Sequence, residues 1–124
     1  MGQVKIRAVP QDEEYLFAKK VCLITKSLIG IPNKQTVKLV VTNKALYIKI
    51  ANVLIDLSGT ERMRIDEIRK ATIREYRAFK KYKQVSFEDP FSLFCFELSV
   101  EDCENIREIV SSINPELQFE EIKK

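Results

Sequence analysis

The sequence predicts an α+β, mainly β, domain: about seven strands in a small curved sheet, with one C-terminal amphipathic helix covering its open end. Three observations predict it. Apolar residues alternate with period two along the Gln35 to Ile50 hairpin, the strand signature, and other runs are rich in strand-forming residues. The period changes to three and four after Ser99, as in a helix with one buried stripe. Linkers, repeats and low-complexity blocks are absent from the 124 residues, so one domain spanning 1–124 is expected.

The first element runs from about Glu14 to Ile29 and ends in "FAKKVCLITKSLI", a strand rich in Val, Ile, Leu and Phe. "GIPNK" breaks it, with Gly30, Pro32 and Asn33 supplying turn chemistry. A hairpin follows over Gln35 to Ile50. Val37, Leu39 and Val41 alternate with Lys38 and Val40, and Leu46, Ile48 and Ile50 alternate with Ala45, Tyr47 and Lys49. Asn43 tolerates the left-handed conformation that a two-residue hairpin turn demands, which places Asn43 and Lys44 in the turn. "NVLIDL", Asn52 to Leu57, reads as a short fourth strand, and "SGTERMR" as a polar loop.

"RIDEIRKATIREYR" is ambiguous: Ile65, Ile68 and Thr72 lie at helix-like spacing. The preferred reading is a one-turn start at Asp66 and a strand from Ile68 to Arg77, because Thr72, Ile73 and Tyr76 favour strand. "KYKQVSFED" and "FSLFCFEL" form another pair, joined at Asp89 and Pro90. The second is apolar on both faces and should be covered on both sides. In "SVEDCENIREIVSSIN" the buried stripe is Cys103, Ile106, Val110 and Ile113. Ser99 is its N-cap, Glu101 and Asp102 put negative charge in its first turn, and Asn114-Pro115 ends it. The tail, residues 115–124, reads as frayed, with Phe119 docking.

Composition narrows function. Apolar residues at 45% and charged residues at 31% describe an ordinary globular protein, and a net charge of +3 does not by itself point to nucleic acid. There is no histidine, which removes the commonest general base and transition-metal ligand. Only three glycines occur, with no phosphate-binding loop among them. Cys22, Cys95 and Cys103 make no CxxC pair and read as buried free thiols in a reducing compartment. "MGQVKIRAVPQDEEYLF" lacks a signal-peptide core, position 6 is unsuited to myristoylation, and no apolar run approaches the ~20 residues of a membrane span. The expectation is a cytoplasmic protein without metal or cofactor, and not an enzyme.

The order of elements is similar to the pleckstrin-homology superfold, and the local wording resembles its GRAM and bacterial PH-like branch. The matching pieces are "AVPQDEEYLFAKKV", "VKLVVTNKALYI", "RIDEIRKATI" and "FELSVEDCENIREIV", which cover most of the chain in order. The resemblance implies a seven-stranded, partly open barrel capped by a helix, and a binding module rather than an enzyme. Such domains bind phosphoinositides or anionic membranes, peptides, ubiquitin, small GTPases or other proteins. The basic signature of lipid-binding members is faint here: Lys26, Lys34 and Lys38 lie in the first hairpin without an arginine, and arginine forks are what hold phosphates.

Three surfaces are candidates. "KSLIGIPNK" offers Leu28, Ile29 and Ile31 for shallow membrane insertion with Lys26 and Lys34 as cationic shoulders, unless Leu28 and Ile29 simply finish the first strand inside the barrel. The stretch from Arg69 to Lys83 carries Arg69, Lys70, Arg74, Arg77, Lys80, Lys81 and Lys83 against one acid, Glu75, with Tyr76, Phe79 and Tyr82 interleaved. It suits an anionic membrane or an acidic protein surface, or it is a solvated hairpin whose lysines discourage edge-to-edge pairing. Single-stranded nucleic acid is disfavoured, since the other acids of the 18 lie throughout the rest of the chain. The acids of "QDEEY" and "SVEDCEN" read as structural.

The function expected is a non-catalytic adaptor recognising a protein or peptide. The alternative is a peripheral membrane module using the basic hairpin. Homo-oligomerisation through an edge strand is open under both.

Overall fold

The structure is a computed structural model, and it describes residues 13–26, 32–50, 61–76 and 81–122. β1 is Tyr15–Lys26, β2 Pro32–Thr42, β3 Ala45–Ile50 and β4 Glu61–Arg64. A 3-10 turn, Ile65–Glu67, leads to β5, Lys70–Glu75. Then come β6, Tyr82–Glu88, β7, Leu93–Ser99, the helix α1, Val100–Ile113, and β8, Phe119–Ile122.

The eight strands form one sheet in the order β4-β3-β2-β1-β7-β6-β5-β8, curled into a half-barrel. All pairs are antiparallel except β5 with β8. β4 and β5 are consecutive in the chain but are not neighbours in the sheet. The edges of the half-barrel are β4 and β8, and α1 packs against β7, β6 and the 3-10 turn. The Asn114 side-chain amide donates to the carbonyls of Ile65 (3.0 Å) and Ile68 (3.3 Å), tying the helix end to the 3-10 turn.

Period-two alternation builds the core, because one face of every strand turns inward. Val37, Leu39 and Val41 of β2, Leu46 and Ile48 of β3, and Ile73, Val85, Phe87, Phe94, Phe96 and Leu98 of the later strands are buried together. Cys103, Ile106 and Val110 of α1 close the cluster, with Ile113 packed partly against it. Each large side chain buried this way contributes about 1.5–3 kcal/mol. The Ser99 hydroxyl accepts from the Asp102 amide at 3.1 Å, as expected of the N-cap.

The structure departs from the sequence reading in four places. Glu61–Arg64, read as polar loop, is a strand. Only Met63 of its four residues is buried, opposite Leu46, so one apolar position carries it and no alternation is legible. The Asn52–Leu57 strand lies outside the described residues. Pro32, Asn33 and Lys34 belong to β2 rather than to a turn, paired with Lys26, Thr25 and Ile24. The 115–124 tail is not frayed over Phe119–Ile122, since this segment pairs in parallel with β5 as the eighth strand among the described residues. Phe119 meets the Phe87 ring edge-on at 6.0 Å, and the Arg107 guanidinium lies 5.3 Å from the Phe119 ring centre. Finally, β7 is covered on one face only: Leu93 is 61% exposed and Cys95 half-buried.

The Asn43-Lys44 corner is a two-residue connection as expected, with a different organiser. The Thr42 hydroxyl accepts from the amides of Lys44 and Ala45, both at 3.1 Å. Asn43 instead clamps the chain before β1. Its side-chain oxygen accepts from the Glu14 amide at 2.9 Å, and its own amide donates to the Glu14 carbonyl at 3.0 Å.

Candidate binding groove

The outer face of the sheet holds the site. On β1 the inward residues are Phe17, Val21 and Leu23, which leaves Lys20, Cys22 and Ile24 outward. On β7 the inward set is Phe94, Phe96 and Leu98, which leaves Leu93, Cys95 and Glu97 outward. β1 and β7 pair through Cys22 with Glu97 and Leu23 with Phe96. Past that point β1 stays with β2 and β7 with β6, and a groove of about 580 Å³ lies along the seam.

Ile24 and Lys34 form one wall, and Tyr76, Gln84, Leu93 and Cys95 form the other and the floor. The lining is mainly apolar with a few polar tips, the pattern of a binding cleft. The Cys95 sulfur accepts from the Gln84 side-chain amide at 3.2 Å and the Ser86 hydroxyl at 3.5 Å. At the near end of β7, the Asp89 carboxylate accepts from the amides of Phe91 (2.8 Å) and Ser92 (2.6 Å). This short turn presents Phe91 at 92% exposure, two residues from Leu93.

Glu97 organises the charges. It accepts from Lys34 at 3.3 Å, so that cation is matched within the domain. Burial, with Glu97 beside it, pushes the Tyr76 hydroxyl up to about 12. Burial and then Glu97 push the Cys22 thiol up, and burial does the same to Cys103. Both shifts run opposite to what a thiolate nucleophile needs. Among the described residues, no three acidic, thiol or imidazole groups come together to hold a metal ion.

Those of the expected site residues that are described do not converge. Lys26 ends β1, and Lys34 points into its ion pair with Glu97. Lys38 lies four residues further along β2, about 13 Å away. Leu28, Ile29 and Ile31 lie outside the described residues, as do Arg77 and Lys80. Of the basic hairpin, Arg74 pairs with Gln84 on the outer face, and Lys83 pairs with the buried Leu98 on the inner face. Lys81 is exposed in the turn before β6. Alternation therefore splits Arg74 and Lys83 between two surfaces.

The acids act structurally. Glu13 is buried and accepts from the Tyr47 hydroxyl at 2.9 Å and the Thr42 hydroxyl at 2.5 Å, with Arg62 3.5 Å away. Asp102 accepts from Lys19 at 3.1 Å. The sequence did not offer Ile24, Gln84 and Leu93 as site residues, and it read Cys95 as a buried thiol and Tyr76 as part of the basic stretch. The signal for two of them, Leu93 and Cys95, was the two-faced apolar run "FSLFCFEL", whose outer face meets solvent instead of a covering layer.

No helix among the described residues is long and apolar enough to cross a membrane. No protein-family model matches the sequence, and no curated protein is significantly similar to it. Solved structures do match. The hSac2 domain from human phosphoinositide phosphatase Sac2 is 18% identical, with a TM-score of 0.59 over 95% of this chain and 83% of that one. An N-terminally truncated linker-DH/PH structure of p115-RhoGEF is 13% identical, with a TM-score of 0.54 over 90% of this chain and 32% of that one. A mutant DH/PH structure of p115-RhoGEF is 11% identical, with a TM-score of 0.56 over 90% of this chain and 33% of that one. This chain thus spans about a third of those DH/PH chains. At such identities the likeness concerns the backbone alone, and the fold is pleckstrin-homology-like.

Proposed function

We propose that the protein is a non-catalytic binding module of the GRAM and bacterial PH-like kind, which recognises a protein or peptide through the outer-face groove between β1 and β7. The observation that carries this reading is the groove itself: about 580 Å³, lined by Ile24, Tyr76, Leu93 and Cys95, with the exposed Phe91 two residues from Leu93 in the chain. An apolar anchor seated there would remove Leu93 and Phe91 from water, the usual source of affinity at a protein interface. The thiols support a non-catalytic reading, since burial disfavours their reactive form. Its workplace on this reading is the cytoplasm.

A second reading, a peripheral membrane module, draws on Lys81 and Arg74 near the exposed Tyr82. It is weaker because Lys83 faces inward and Lys34 is already paired.

The two readings part on one comparison. The wild-type domain, Leu93→Asp, and a combined Arg74→Glu, Lys81→Glu variant are used for affinity capture and for sedimentation with anionic vesicles at physiological salt. The groove reading expects a specific protein retained by wild type and by the charge variant and lost with Leu93→Asp. Vesicle binding lost only in the charge variant would replace it with the membrane reading.

A further inference from the structure

We propose that the outer face of β1, β2 and β3 carries a second contact for the same partner: a row of three lysines, Lys20, Lys38 and Lys49, that receives an acidic segment of that protein. The proposal rests on the groove reading for the partner's being a protein, and it deepens that reading by naming the partner's chemistry.

The row is set by register. Lys20 stands directly opposite Lys38 on β2, and Lys38 directly opposite Lys49 on β3. Adjacent strands lie about 4.8 Å apart, so the three backbone positions span about 10 Å across the sheet. All three point outward, since Val21, Val37 and Ile48 next to them point into the core. Lys20 is exposed, and Lys38 and Lys49 are half-buried, their stems lying along the sheet.

Nothing described in the fold neutralises these charges. Among the described residues no ion pair joins Lys20, Lys38 or Lys49 to an acid. The neighbouring row on one side, Ala18, Val40, Tyr47 and Arg62, has its arginine engaged with Glu13. On the other side stand Cys22 and Thr36, with Glu97 already committed to Lys34. Lys19, the residue before Lys20, turns to the opposite side of the sheet and does find an acid, Asp102 at 3.1 Å. Like charges placed directly opposite in a sheet destabilise it. Two such pairs in one row are a cost to folding, and an acidic ligand turns that cost into affinity.

The row lies in the middle of the strands, next to the buried outer-face pair Val40 and Tyr47, and has no arginine fork at its own positions. Three separate ammonium groups in a line suit a run of carboxylates better than one phosphate cluster. Along β1 the row is four residues from Ile24, about 13 Å from the groove. One segment carrying acids and an apolar anchor spans both.

The test uses the full chain, a fluorescein-labelled oligoglutamate, the same peptide with leucines added at one end, and phosphatidylserine vesicles, in about 10 mM salt where the screening length is about 30 Å. Oligoglutamate should bind wild type and weaken about tenfold or more with Lys38→Glu. The same substitution should raise the melting temperature by about 2–5 °C, because two like-charge pairs become two opposite-charge pairs. A binding loss that accompanies a gain in stability cannot come from unfolding. Lys20→Gln, at an exposed position, should weaken binding in the same direction and serves if Lys38→Glu does not fold.

The leucine-tailed peptide should bind more tightly than oligoglutamate, and Leu93→Asp should remove only that gain. If the gain is absent while Lys38→Glu still acts, the groove reading fails and the lysine row stands. If Lys38→Glu and Lys20→Gln bind both peptides as wild type does, or if only the vesicles bind, the lysine proposal is overturned.

Discussion

Two residues, the buried Glu13 and the half-buried Tyr76, show how single side chains hold this fold. Glu13 joins the Tyr47 and Thr42 hydroxyls, and Arg62 closes the cluster with its guanidinium 5.7 Å from the Tyr47 ring centre. Glu13→Ala leaves two buried hydroxyls without their acceptor, and should cost about 1–3 kcal/mol in chemical denaturation. An unchanged midpoint would mean that the cluster is dispensable. Tyr76 makes a second, pH-linked prediction. Its hydroxyl sits at about 12 in the folded domain, against an ordinary value of 10.0. An acid whose folded value is raised keeps its full contribution below the unfolded value and loses it as pH rises. Stability should therefore fall from about pH 10 toward pH 12, and Tyr76→Phe should flatten that fall. Tyr47, also raised by burial and by Glu13, contributes to the same limb and leaves a residual slope in the variant.

At the scale of elements, the strands with clean alternation were legible in the sequence, and those held by context were not. β2 and β3 could be read because Val37, Leu39, Leu46 and Ile48 repeat every second residue. The Lys38 and Lys49 pairing even follows from the two-residue turn, whereas the Lys20 and Lys38 pairing depends on a β1–β2 register that no local pattern specifies. β4 could not be read, because a four-residue strand with one buried side chain has no period. β8 could not be read either: its burial pattern is shallow and its partner, β5, lies some fifty residues earlier. The same limit hid the groove, since whether the outer face of β7 is covered depends on where β1 leaves it. β8 yields a prediction of its own. Phe119→Ala removes the ring that meets Phe87 and Arg107, and should destabilise the domain by about 1–3 kcal/mol. A variant as stable as wild type would show that the strand adds nothing to the fold.

For the whole molecule, the half-barrel divides labour between its faces. The inner face and α1 make one continuous apolar core, and the paired Lys19 and Asp102 help hold the helix to it. The outer face carries the features with no use in folding: the seam groove, the exposed Phe91 and Leu93, and the lysine row. The pleckstrin-homology-like fold leaves the ligand open, because function lies in the site and not in the architecture. The central claim is that a partner occupies the groove, and Cys95 on its floor is a built-in reporter. The most direct measurement is the alkylation rate of each cysteine, read by mass spectrometry, with and without the protein captured by the wild-type domain. The account predicts that the partner slows Cys95 severalfold while Cys103, on the buried face of α1, stays slow in both cases. A Cys95 rate unchanged by saturating partner would contradict it.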